Sequence, residues 1–131
     1  MIRRILIGAA LLPVAAAILI GQTTRSTNDG VYTAAQAARG KSTFEAKCSG
    51  CHETSQFSGN DFQKEWDGKA LKEIWDIASG TMPEDNPGSL KQEEYGDILA
   101  YFLSLNQYPV GEKELEGSGP AMASIKIEKK S

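Results

Sequence analysis

The chain has 131 residues, two cysteines, one histidine and a formal net charge of −3 at pH 7. This length suits one small domain. A mildly acidic chain without a basic run argues against nucleic acid as a partner, because phosphate backbones are bound through clustered Lys and Arg side chains. The segment with helical periodicity, residues 33–109, is near the size at which apolar burial alone gives marginal stability, so we expect a non-protein group in its core.

The N-terminus has the order of a secretory signal. Arg3 and Arg4 precede an uncharged, largely apolar stretch that runs from Ile5 to Thr24, which corresponds to the charged and apolar regions of such signals. The stretch also approaches membrane-spanning length, so an uncleaved anchor is the alternative. We therefore assign residues 1–24 to a signal peptide or N-terminal anchor. The protein is expected to be exported, and either periplasmic or held at the outer face of the cytoplasmic membrane, with membrane contact only through this segment if it is uncleaved.

The first predicted helix follows a linker at residues 25–32. Thr33 and Gln36 have the spacing of a capping box at its start, and the helix continues into the cysteines. The segment from Glu53 to Gly68 is rich in Ser, Gly, Asn and Asp and has no clear period. It is predicted to be a loop with at most a short turn.

Two more helices are predicted beyond this loop. The first contains Leu71, Ile74, Trp75 and Ala78 at helical spacing and stops at Gly80. An ordered loop with two prolines follows, and a capping box of Ser89 and Gln92 then opens the last helix, whose apolar stripe is Tyr95, Ile98, Leu99 and Phe102. Residues 110–131 are predicted to form an extended tail that docks through Leu115, Ile125 and Ile127.

The strongest soft ligands of the chain lie within a single short motif. Cys48, Cys51 and His52 form C-x-x-C-H, in which two thiols are spaced to reach the two vinyl groups of haem and the imidazole can bind its iron. A redox-active disulfide, half of a zinc site and a structural bridge are the alternatives. A zinc site would need a fourth Cys or His, and a redox-active pair would be expected after a strand. The motif therefore favours one covalent haem c with its iron.

The second axial ligand cannot be another histidine, because His52 is the only one. The thioether candidates are Met1 in the N-terminal segment, Met122 in the predicted tail, and Met82 in the loop held by prolines. Met82 is the predicted ligand, and filling a gap in the core is its alternative role. Trp66 could donate its indole N–H to a haem propionate, although an ordinary core or surface tryptophan is the simpler interpretation.

These motifs together resemble a class I c-type cytochrome. In that family a glycine and an aromatic residue four positions later lead into C-x-x-C-H, and here Gly40 and Phe44 precede Cys48 in that spacing. The aliphatic and aromatic pair of the closing helix falls on Ile98 and Tyr101. The resemblance implies that this helix crosses the first helix at Gly40.

The resemblance covers about residues 35–109, and it implies an all-α cytochrome c domain at residues 33–109 wrapped around one covalent haem. The stretch TMPEDNPGSL and the helix after it are further similar to small cytochromes associated with periplasmic quinoprotein dehydrogenases. The expected function is to carry single electrons between redox proteins, with a periplasmic dehydrogenase or a terminal oxidase as partners. The competing interpretation is a haem enzyme or small-ligand sensor whose sixth iron position is labile.

The chain departs from the family in the segment after the haem-binding motif. Many family members place a proline there, and its carbonyl accepts the proton of the histidine nitrogen that does not bind iron. No proline lies between His52 and Pro83. Because such partners fix the orientation of a ligand ring, the sequence leaves the acceptor for His52 unassigned.

Overall fold

The fold was obtained as a computed structural model, which describes residues 23–130. The predicted signal or anchor at residues 1–24 falls almost wholly outside this range. Among residues 23–130, no helix is both long enough and apolar enough to cross a membrane.

The described part of the chain is mainly helical, which confirms the predicted all-α class. Two-residue strands near its ends, β1 (Arg25–Ser26) and β2 (Ile125–Lys126), pair in parallel. Short 3₁₀ turns cover Thr27–Asp29 and Thr54–Phe57. The α-helices are α1 (Ala34–Lys47), α2 (Gly59–Trp66), α3 (Leu71–Thr81), α4 (Gln92–Leu105) and α5 (Gly119–Ala123).

Helices α1 and α4 pack most extensively, and they cross at Gly40. A Cβ atom at Gly40 would lie 1.8 Å from the carbonyl oxygen of Asp97 and 3.0 Å from the amide nitrogen of Ile98. The two backbones are therefore too close for any side chain at this position. One turn further along α1, the buried Phe44 ring lies 5.8 Å from the ring of Tyr101. The crossing that the resemblance implied is confirmed.

The start of α1 differs in part from the predicted capping box. The Thr33 hydroxyl accepts a hydrogen bond from the Gln36 backbone N–H at 3.1 Å, as expected. The Gln36 side chain is instead buried at 2% exposure, where it donates to the carbonyl of Leu115 at 2.8 Å and accepts from its N–H at 2.7 Å. A local capping role is thus replaced by a connection between α1 and the C-terminal segment.

The prediction of a loop between Glu53 and Gly68 is wrong, because this segment contains α2. Phe62 anchors the helix with a side chain that is 1% exposed. The Asn106 side chain fixes the helix start by accepting from the Gly59 N–H at 3.0 Å and donating to the Phe57 carbonyl at 2.8 Å. The i, i+4 spacing of Phe62 and Trp66 was the available sequence pattern, and abundant turn-forming residues masked it.

The boundaries of the next two helices differ slightly from prediction. Helix α3 continues through Gly80 and ends at Thr81, and the next residue, Met82, has the extended backbone that a following proline requires. Helix α4 begins at Gln92 rather than after a Ser89 cap. The Lys91 N–H there donates to the Glu94 carboxylate at 2.8 Å, which satisfies a backbone donor just outside the helix.

Both segments that flank the predicted cytochrome domain pack on its core. Leu115, Ile125 and Ile127 are buried, as predicted, but the tail is not simply extended, because it contains α5 and β2. Met122 in α5 is fully buried. The predicted linker likewise contributes three buried residues, Thr27, Val31 and Tyr32.

Replacing Gly40 with valine should destabilise the haem-loaded protein by about 1–3 kcal/mol, since the new side chain would collide with backbone rather than with a movable side chain. Ala38→Val is the matched control, because Ala38 is exposed on the same helix and the change costs only about 0.7 kcal/mol or less in helix propensity. Denaturant unfolding of both variants measures the difference. Equal losses would contradict the close crossing.

Replacing Gln36 with leucine should leave the N–H and the carbonyl of Leu115 without partners in a buried environment. Each lost partner is expected to cost about 1–3 kcal/mol. The variant should therefore unfold at lower denaturant concentration, and protease should cut its C-terminal segment sooner. Gln92→Leu, at an exposed glutamine, is the control. If Gln36→Leu resisted protease as well as the wild type does, the bonds between Gln36 and Leu115 would not be what holds the C-terminal segment.

Candidate functional site

The C-x-x-C-H residues form one compact turn at the end of α1. The Cys48 N–H donates to the carbonyl of Phe44 at 2.8 Å, which continues the helical pattern to the first cysteine. The Cys48 carbonyl then accepts from the N–H groups of Cys51 at 3.1 Å and His52 at 2.9 Å. The structure therefore brings Cys48, Cys51 and His52 together as the sequence predicted, on a segment whose direction is set by α1.

The two cysteines are free thiols in different environments. Cys48 is half-buried against the core, and this burial raises the pKa of its thiol, whereas Cys51 is exposed. Redox-active cysteine pairs depend on a thiol whose pKa is lowered. The raised pKa of Cys48 is thus the opposite of what a redox-active disulfide needs. Within residues 23–130, no three His, Cys, Asp or Glu side chains are grouped so as to hold a metal ion.

The His52 ring is half-buried and contacts the side-chain amide of Gln56 and the ring of Phe57. Its Nδ1 atom lies 3.2 Å from Oε1 of Gln56. The ring centroid lies 5.5 Å from that of Phe57, which in turn stacks on Phe102 with centroids 4.2 Å apart and planes within 5°. The stacked rings of Phe57 and Phe102 therefore connect His52 to α4. The sequence analysis did not identify Gln56, although it lies four residues after His52.

Met82 is positioned from a different part of the fold. Its N–H donates to the carbonyl of Ala78 at 3.1 Å. Its carbonyl accepts from the hydroxyl of Tyr95 at 2.6 Å and from the N–H of Gly88 at 3.2 Å. The sequence had assigned Tyr95 only to an apolar stripe, but a buried tyrosine hydroxyl requires a partner, and that partner is the backbone of Met82.

The two tryptophans have different surroundings. Trp66 is half-buried at the end of α2, with the Lys69 ammonium 4.8 Å from its ring centroid. Its contact with a propionate stays a prediction. The indole nitrogen of Trp75 is buried, and none of the described residues accepts its proton.

These residues suit haem c in both chemistry and polarity. Two free thiols, an imidazole and a thioether are the groups that attach and ligate such a haem. A set of apolar side chains also packs on the core while keeping part of its surface exposed, so the core offers apolar surface that a flat apolar group could cover. The members of this set include Phe57, Trp66, Ala78, Leu90 and Leu105.

Comparison with known proteins identifies the family. The family model described as cytochrome C oxidase, cbb3-type, subunit III matches residues 35–102, more than half of the chain. The matched range begins in α1, ends in α4, and contains Cys48, Cys51, His52 and Met82. No curated protein and no solved structure matches the chain. The chain therefore belongs to the family of cbb3-type subunit III cytochrome c domains, and it is a class I c-type cytochrome, a haem-binding electron carrier.

Proposed function

We propose that the protein is an exported cytochrome that binds one haem c and carries single electrons between redox enzymes. Cys48 and Cys51 would attach the haem through thioether bonds, and His52 and Met82 would bind its iron. The observation that carries the proposal is the compact turn at the end of α1, which contains two free thiols and an imidazole that packs on the ring of Phe57. When bound, haem supplies a one-electron couple between ferric and ferrous iron.

The chain's own residues favour an electron carrier over an enzyme. Met82 is held by hydrogen bonds to both its N–H and its carbonyl, and the tyrosine that contacts it is itself buried in α4. These bonds hold the backbone of Met82, and its thioether as the second iron ligand would close the remaining iron position to small molecules. The only histidine is itself a proposed iron ligand, so no imidazole would remain to move protons for peroxide chemistry.

The partners follow from the family and from the predicted export. The family description names a subunit of a terminal oxidase, and the Met82 loop is similar in sequence to cytochromes associated with periplasmic quinoprotein dehydrogenases. We propose an exported dehydrogenase as the donor and a terminal oxidase, directly or through another carrier, as the acceptor. Glu84 and Asp85 are exposed beside Met82, so a partner with a basic docking surface would be favoured.

Protein made in cells with a cytochrome c maturation system should keep the mass of one haem after denaturation. Cys48→Ser should reduce covalent attachment, because one of the two thioether bonds can no longer form. Gly50→Ala is the matched control, since it changes the same turn, leaves both thiols in place, and puts its Cβ in open space. Mass spectrometry of the unfolded proteins measures the outcome. Wild-type protein that carried zinc or a disulfide instead of haem would refute the proposal.

Loss of the Met82 thioether should remove the weak far-red absorption band of the oxidised protein. It should also lower the reduction potential, because a thioether ligand favours ferrous iron. Met82→Leu tests both effects with little change of volume, and Met82→Ala should additionally raise peroxidase activity by opening the iron. Met122→Leu applies the same chemical change to the buried methionine of α5 and should keep the band.

These measurements also separate the carrier from the alternative haem enzyme or sensor. Wild-type protein is expected to turn over peroxide slowly and to exchange electrons readily with small redox mediators. Fast peroxide turnover by the wild type, with no change of spectrum or potential in the Met82 variants, would show that Met82 is not a ligand. The sensor or enzyme would then be the better assignment.

A further inference from the structure

The structure supplies an acceptor for His52 where the sequence has no proline. Gln56 lies in the 3₁₀ turn Thr54–Phe57, directly after the haem-binding motif. Its Oε1 atom lies 3.2 Å from Nδ1 of His52, within the range of an N–H···O hydrogen bond. The amide is therefore placed where it can orient the histidine ring through Nδ1.

A second hydrogen bond fixes which end of the Gln56 amide faces the histidine. The backbone N–H of Glu53 lies 3.0 Å from the same Oε1 atom. A backbone N–H can only donate, so the atom that receives it must be the amide oxygen and not the amide nitrogen. The oxygen that faces Nδ1 of His52 can accept but cannot donate, so Nδ1 carries the ring proton.

This assignment determines the state of the other ring nitrogen. A neutral imidazole has one proton, and its location on Nδ1 leaves the lone pair of Nε2 free to bind a metal. The ring of Phe57, the residue after Gln56, packs in an edge-to-face arrangement with the same imidazole, with ring centroids 5.5 Å apart. One short turn thus sets both the tautomer and the rotation of the ring.

We propose that Gln56 is a positioning residue for His52, an inference that rests on the proposed role of His52 as an iron ligand. The amide oxygen accepts a hydrogen bond from Nδ1–H and would leave Nε2 free to bind the iron. By accepting a hydrogen bond from this N–H, the amide would make the imidazole a stronger electron donor, and a stronger donor favours ferric iron. Because the acceptor is an uncharged amide, this effect is smaller than that of a carboxylate in the same place.

Two substitutions at Gln56 should move the reduction potential in opposite directions. Gln56→Leu removes the acceptor and should raise the potential. Gln56→Glu keeps an oxygen at the same distance from the backbone and adds charge, so it should lower the potential. Ser55→Glu is the matched control, because Ser55 is exposed in the same turn and the variant adds the same charge there. The shift caused by Gln56→Glu should exceed the shift caused by Ser55→Glu. Redox titration of the covalently loaded proteins provides the readout.

The result that would overturn the inference is an unchanged potential in Gln56→Leu, or equal shifts in Gln56→Glu and Ser55→Glu. If Gln56→Leu does not acquire haem, the comparison of the two glutamate variants decides alone, since both keep an oxygen acceptor available at position 56. Wild-type protein without covalent haem would overturn the proposed function together with this inference. Unchanged potentials in a correctly loaded set of variants would overturn the positioning role only.

Discussion

The backbone contact between α1 and α4 at Gly40 is the constraint on which the rest of the structure depends. With no room for a Cβ beside the Asp97 carbonyl, the two helices approach as closely as their backbones allow. This contact fixes where Phe44 enters the core, one turn later. The Phe44 carbonyl in turn accepts the N–H of Cys48, so the direction of the haem-binding turn follows from a crossing two turns earlier in the helix.

The same crossing is reinforced at its edge by Arg39. Its guanidinium pairs with Asp97 on α4 at 2.9 Å and with Glu114 of the C-terminal segment at 2.9 Å. These hydrogen bonds raise the pKa of Arg39, and they lower the pKa of Glu114 below its usual value. Because the Arg39 side chain is half exposed, water screens these pairs. They orient the two segments more than they stabilise the fold.

Both proposed iron ligands are positioned by contacts with this pair of helices. His52 follows α1 and contacts Phe57, which stacks on Phe102 of α4. Met82 follows α3 and is held through its carbonyl by Tyr95 of α4. The two proposed ligands, from distant parts of the chain, are thus positioned by contacts with the same helix. A ligand set held in this way would change little in geometry when an electron is gained or lost, which suits an electron carrier.

The sequence by itself determined the features that depend on neighbouring residues. The spacing of Cys48, Cys51 and His52 identified the haem motif, a capping box located the first helix, and apolar periodicity located two more. Gly40 indicated a close crossing through its place in a family pattern. Only the tertiary structure decided that Gln36 turns into the core, since its partner Leu115 is distant in the chain. The packing of the C-terminal segment on the core and the hydrogen bond from Tyr95 to Met82 likewise join residues that are not neighbours in the sequence. Even Gln56, although close in sequence, could not be assigned to His52 beforehand, because a flexible side chain takes one orientation only when a second bond fixes it.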